Sequence, residues 1–169
     1  MSSQHSVRSV VAVAATVALI SVGPSHPPTN PAADPLAPLA FLVGGSWDGR
    51  GTWPDGSPLH VELRYTWGAT RRLLHFTTYD WTRSPRELLY EGIIFFDPAR
   101  GAVFQWNVKP DGTLTESRVT RADSTGFDIL AANTRSTIRR TGPNEWHWIL
   151  QVPRDSAWHT ILDAPHRRR

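Results

Sequence analysis

The chain has no cysteine, a single methionine and a single lysine, Lys109. The missing cysteine excludes disulfides, thiolate catalysis, Cys-ligated zinc and iron–sulfur clusters. A fold without staples must be held by burial, and 8 Trp, 6 Phe and 3 Tyr can supply it. There is no Gly-x-Ser-x-Gly elbow and no glycine-rich phosphate loop. No His-x-His or His-x-x-x-His pair occurs; His75, His147 and His159 fall on separate predicted strands. Nothing after Trp47 reads as a long amphipathic helix.

The balance of charge looks basic, at +3 with a sequence pI of about 9.9. Its location removes the implication of a nucleic-acid partner. Arg167, Arg168 and Arg169 form a terminal tail, Arg8 lies in the leader, and the other arginines alternate with acids along the strands. A mixed, solvated surface follows, and no nucleic-acid binding is expected.

The first residues read as an address. Met1–Arg8 is polar and weakly cationic, Val10–Ile20 is an apolar run, and Gly23-Pro24-Ser25 offers a small-x-small end. This is the layout of a secretory signal peptide over residues 1–23, and the run is short for a bilayer span. Export to a periplasmic or extracellular space is expected, with an uncleaved N-terminal membrane anchor as the alternative. Residues 24–37 carry Pro24, Pro27, Pro28, Pro31 and Pro35, with Pro38 following, and read as a disordered, extended linker.

From Trp47 onward, short runs of aromatic and β-branched residues alternate with Gly, Pro, Asp and Asn turns at roughly ten-residue spacing. The predicted strands are Ser46–Trp53, Leu59–Trp67, Arg72–Trp81, Glu87–Phe96, Ala102–Val108, Thr113–Arg121, Gly126–Leu130, Arg135–Arg140, Glu145–Val152 and Ala157–Ala164. Connections this short force antiparallel neighbours. The fold class is therefore all-β, a single antiparallel up-and-down β-barrel of about ten strands. Leu39–Val43 supplies a short N-terminal helical turn that plugs one end.

Faces can be read on several strands. Val61, Leu63, Tyr65 and Trp67 share one, as do Trp146, Trp148, Leu150 and Val152. Trp47, Gly49, Gly51 and Trp53 share another; the two glycines imply a bent strand or bulk arriving from elsewhere. Glu87–Phe96 is apolar on both faces, so its inward side stays open.

The segment Leu39-Ala40-Phe41-Leu42 followed by Gly45-Ser46-Trp47 resembles the calycin superfamily of lipocalin-like barrels. The opening Pro38-Leu39-Ala40-Phe41-Leu42 also resembles the nitrobindin-like branch of ten-stranded haem-binding barrels. Trp47-Asp48-Gly49-Arg50-Gly51-Thr52 with Pro54-Asp55-Gly56, Tyr90-Glu91-Gly92 before Asp97-Pro98, and Trp158 to Asp163 are similar to a group of bacterial lipocalin-like proteins over most of residues 38–169. The resemblance implies that Trp47 packs at the closed end under Arg167 or Arg168. It also implies small-molecule binding. By position, the haem branch would place its iron ligand at His159 or His166; the local pattern is absent around both, and no cofactor is expected. His159 is the residue on which a haem reading would rest.

The expected ligand is a small apolar molecule in the barrel interior, and no catalysis is expected. Polar residues interrupting apolar strands nominate Glu91, Gln105, Glu116 and Arg118 as contacts, with Trp53, Tyr65 and Trp106 as walls. A packed barrel serving the cell envelope as a structural or protein-interaction module is the alternative. A glutamate-dependent enzyme using Glu91 and Glu116 is a further one.

Overall fold

The computed structural model describes residues 34–169. The predicted leader and linker residues 24–33 lie outside the described residues; of the remaining linker residues, Leu36 is buried and Ala37 opens the 3-10 helix. A 3-10 helix, Ala37–Leu42, precedes ten strands: β1 (Ser46–Thr52), β2 (Pro58–Trp67), β3 (Leu73–Asp80), β4 (Glu87–Asp97), β5 (Ala102–Val108), β6 (Leu114–Asp123), β7 (Gly126–Leu130), β8 (Arg135–Gly142), β9 (Glu145–Arg154) and β10 (Ala157–Arg168). Each strand pairs antiparallel with its neighbours in sequence, and β10 returns to β1, so the sheet is a closed ten-stranded barrel. Closure removes both edges that a ten-stranded meander would otherwise expose.

The predicted strands match to within a few residues, except that β10 runs on through Arg168. Closure explains the extension. The pairing with β1 is made by His166, Arg167 and Arg168 alone, so a strand ending at Ala164 would leave the barrel open. Pro165 pairs with His147 of β9 and lies just outside the β1 pairing, so its missing N–H removes no bond between β1 and β10.

Alternation sets an inner and an outer face on β2 and β10. On β2, Leu59, Val61, Leu63 and Tyr65 are buried; of the opposite set His60 is half-buried, Arg64 and Thr66 are exposed, and Glu62 is buried among ion pairs with Arg64, Arg86 and Arg169. On β10, Leu162, Ala164 and His166 point inward and are buried. The gap left on β1 by Gly49 and Gly51 is filled from β10. A Cβ at Gly49 would overlap the His166 ring, and one at Gly51 would press on Ala164 and Leu162. The tryptophan-flanked glycines are thus sockets for neighbouring side chains.

The 3-10 helix seals one end. Leu36, Leu39 and Leu42 are fully buried, and the helix packs on β6 and β7. Trp47 lies beneath it, donating from Nε1 to the Leu42 carbonyl at 2.7 Å. Arg168 stacks over the Trp47 ring at 4.6 Å and donates to the carbonyls of Phe41, Val43 and Gly44. Those carbonyls lie where the helix ends and have no helical partners, so the guanidinium serves as a side-chain cap. Of the two arginines considered for this place, Arg168 takes it. Arg167 points outward to Glu145, at 3.4 Å.

Candidate ligand-binding cavity

The inward-facing side chains do not fill the barrel. A cavity of about 260 Å³ runs from Trp146 and His166, near the sealed end, to Trp53, Leu89 and Ser136 at the mouth. Its walls are apolar over most of their extent: Leu59, Val61, Leu63, Phe76, Phe127, Ile129, Ile138 and Trp148. Trp53 and Trp148 meet edge-on at 6.2 Å and form one wall near the mouth. Leu89 reaches the cavity through a β-bulge. The pairing of β3 with β4 steps from Thr78↔Tyr90 to Tyr79↔Leu88, so Leu89 has no partner and both it and Tyr90 face inward.

The polar groups are few and neutral. Ser136 accepts from Trp148 Nε1 at 3.1 Å, and Gln105 donates to Asn107 at 2.9 Å. Tyr65 and Tyr90 lie on either side of Phe76. Burial pushes the Tyr65 phenol well above its usual range, and the nearby Tyr90 adds to the effect. Burial raises Tyr90 as well, against an opposing contribution from the Thr78 hydroxyl beside it.

His166 is the one ionisable imidazole in the lining, and it is fully buried. Its ring stacks on Trp146 with centroids 3.8 Å apart and planes 7° from parallel. Nδ1 lies 2.9 Å from the Ala164 carbonyl, which can only accept, so Nδ1 carries the proton and Nε2 a lone pair. That Nε2 has no hydrogen-bond partner among the described residues. Burial lowers the pKa to about 4, the Ala164 hydrogen bond opposing and the His147 charge assisting. His166 is therefore neutral at pH 7, and no charged side chain lines the cavity among the described residues.

The residues nominated from sequence fall in two places. Trp53, Tyr65 and Gln105 line the cavity. Glu91 and Trp106 lie on the outer face, in a groove with His75, Ile93, Val108 and Leu114. Glu116 is outside too, where Arg100 holds it through bonds of 2.8 and 3.1 Å and Trp106 Nε1 donates to it at 2.7 Å. The Arg100 hydrogen bonds, then that from Trp106, hold its carboxyl below the usual range. Arg118 is exposed, opposite Phe104 on β5. The structure thus separates Glu91, Trp106, Glu116 and Arg118 from the interior. Their strand positions alternate with Gly92, Gln105 and Ser117, whose side of the sheet is the inner one.

His159, on which a haem reading would rest, pairs with Val152 and so sits on the inward side of β10 at the mouth. Its side chain is exposed and makes no hydrogen bond among the described residues. Iron-ligating histidines have their second ring nitrogen held by a carboxylate, carbonyl or water. Among the described residues no carboxylate or carbonyl holds either ring nitrogen of His159, which leaves that part to water.

Sequence reasoning did not place Thr78 or Tyr90 in a binding wall, and it weighed His166 only by position, as a haem ligand. The alternation Leu162, Ala164, His166 was the available signal for the last, obscured by the run of arginines after it.

No protein-family model matches the chain, and no curated protein matches it. Among solved structures, Rv2717c from M. tuberculosis is similar, with a TM-score of 0.54 and 19% identity over 82% of this chain and 98% of that one. At that identity the likeness bears on the fold alone. A redesigned beta barrel aligns with a TM-score of 0.35 and 13% identity over 77% of this chain and 93% of that one.

Proposed function

We propose that this protein is an exported, lipocalin-like barrel that holds one small, largely apolar molecule in its interior. The observation that carries the reading is the cavity itself: about 260 Å³ of space inside a closed barrel, apolar in most of its lining, with a few convergent polar groups. Ligand sites in barrels take this form. An apolar cavity of about 150 Å³ admits benzene, which scales to roughly ten non-hydrogen atoms here. The cavity also weighs against the packed-barrel alternative, whose interior would be filled. Export rests on the leader at Val10–Ile20. If that leader stays uncleaved, the linker would tether the barrel to a membrane.

Isopropylbenzene (cumene) is a probe of suitable size. It is expected to raise the melting temperature of the wild-type chain in a concentration-dependent way, because a ligand bound only by the native state stabilises it. Leu89→Trp places bulk at the mouth on a half-buried bulge residue and is expected to weaken cumene binding at least tenfold. No ligand-dependent rise in the wild type, or an equal rise in the variant, contradicts the proposal. Haemin is the control: a Soret band lost in His159→Ala would replace this reading with the haem one.

A further inference from the structure

The cavity wall formed by β2, β3 and β4 carries three hydroxyls without completed hydrogen bonds. Among the described residues the Tyr65 hydroxyl has no partner. The Tyr90 hydroxyl has only that of Thr78 beside it, and Thr78 Oγ1 is itself buried and unsatisfied. Both phenols flank Phe76, at ring distances of 5.9 and 6.3 Å, so the hydroxyls belong to one wall. Neither phenol oxygen is among the enclosed unpartnered atoms, which are Thr78 Oγ1, Trp146 Nε1, His166 Nε2 and Arg168 Nε. The phenols therefore keep contact with the open space that both residues line.

Hydroxyl donors in an apolar enclosure cost free energy until an acceptor reaches them. A ligand oxygen that accepts from them would recover that cost. An anion would gain the same hydrogen bonds but would enter a cavity with no counter-charge, since the only ionisable base there, His166, is neutral. Burying an unpaired charge costs far more than a few neutral donors return.

We infer that this wall selects an uncharged ligand bearing a carbonyl-type oxygen, over a hydrocarbon of the same shape and over a carboxylate. The inference rests on the interior binding proposed above and names the chemistry of that ligand. Tyr65 and Tyr90 donate to the oxygen, Thr78 supports Tyr90, and the aliphatic and aromatic walls enclose the remainder.

Three probes of matched size separate the possibilities: acetophenone, cumene and benzoate. Each would be titrated calorimetrically into the full chain and into the double variant Tyr65→Phe, Tyr90→Phe. Removing the phenol oxygens is expected to lower the acetophenone-to-cumene affinity ratio about tenfold, the worth of one to two net hydrogen bonds. Cumene binding is expected to persist, which also shows that the variant is folded. Benzoate is expected not to bind where acetophenone saturates. A ratio unchanged by the double substitution, or benzoate binding as tightly as acetophenone, overturns the inference while leaving interior binding intact. Failure of both acetophenone and cumene to bind the wild type overturns interior binding and this inference together.

Discussion

Trp47→Ala is expected to cost about 3–5 kcal/mol, the range for deleting a fully buried large aromatic. Trp47 has no exposed surface, and three partners depend on it. The Leu42 carbonyl loses its indole donor, Trp146 loses an edge contact at 5.9 Å, and Arg168 loses the ring beneath its guanidinium. Arg168 in turn caps the carbonyls that end the 3-10 helix, so the plug and the β1–β10 seam loosen together. A domain of this size has about 5–15 kcal/mol in total, so the variant will sit near the edge of folding. Urea unfolding of wild type, Trp47→Ala and Trp47→Phe would measure the effect, with the phenylalanine recovering part of the loss. Trp158→Ala, at an exposed tryptophan, is expected to stay within about 0.5 kcal/mol of wild type. A loss below about 1.5 kcal/mol at Trp47 would mean that the plug is not what closes the barrel.

Acid is expected to weaken the fold through His166. Its pKa is about 4 in the barrel, against 6.5 for a free imidazole, and the first cause is burial. Below pH 6.5 the unfolded chain takes up a proton that the folded chain refuses, so stability falls as pH drops. The contribution is fully present above 6.5, declines through the window from 6.5 to 4, and levels off beneath it. At 1.36 kcal/mol per unit the full loss is about 3 kcal/mol, of which about 2–3 kcal/mol is gone by pH 4.5. Urea midpoints between about pH 7.5 and pH 4.5 would show it. His166→Leu removes the titrating group and is expected to flatten the slope across this window. An equal slope in both proteins would assign the acid sensitivity to carboxylates such as Asp48, whose pKa is lowered because hydrogen bonds from Arg169, His60 and Arg50 outweigh the opposing effect of burial.

Most of the barrel was legible because a half-buried strand writes its own face into the sequence. β2 and β9 show clean period-two alternation, and Pro-Asp-Gly turns mark where β1 and β5 stop. β4 was not legible for an identifiable reason. Ile93 and Phe95 make its outer side as apolar as its inner side, so alternation carries no sign there. Phe95 instead meets Trp106 at 5.0 Å on the outer surface. The same ambiguity moved Glu91, Trp106 and Glu116 into the expected site, since a polar residue between apolar ones looks alike from either side. The bulge at Leu89 is invisible in sequence because it depends on how β3 and β4 lose register. The end of β10 was hidden by Pro165 and the arginines, which imitate a solvated tail. Yet Gly49 and Gly51 announced that something large must arrive opposite them, and His166 and Leu162 are what arrive.

The central claim is that the interior space is real and reachable. Diffraction from crystals of the full chain pressurised with xenon tests it most directly, because xenon enters apolar cavities irrespective of ligand identity. The account predicts a xenon site inside the barrel, between Leu63, Phe76, Phe127 and Ile138. Xenon confined to the outer groove beside Trp106 and Leu114, with none inside the barrel, would contradict it.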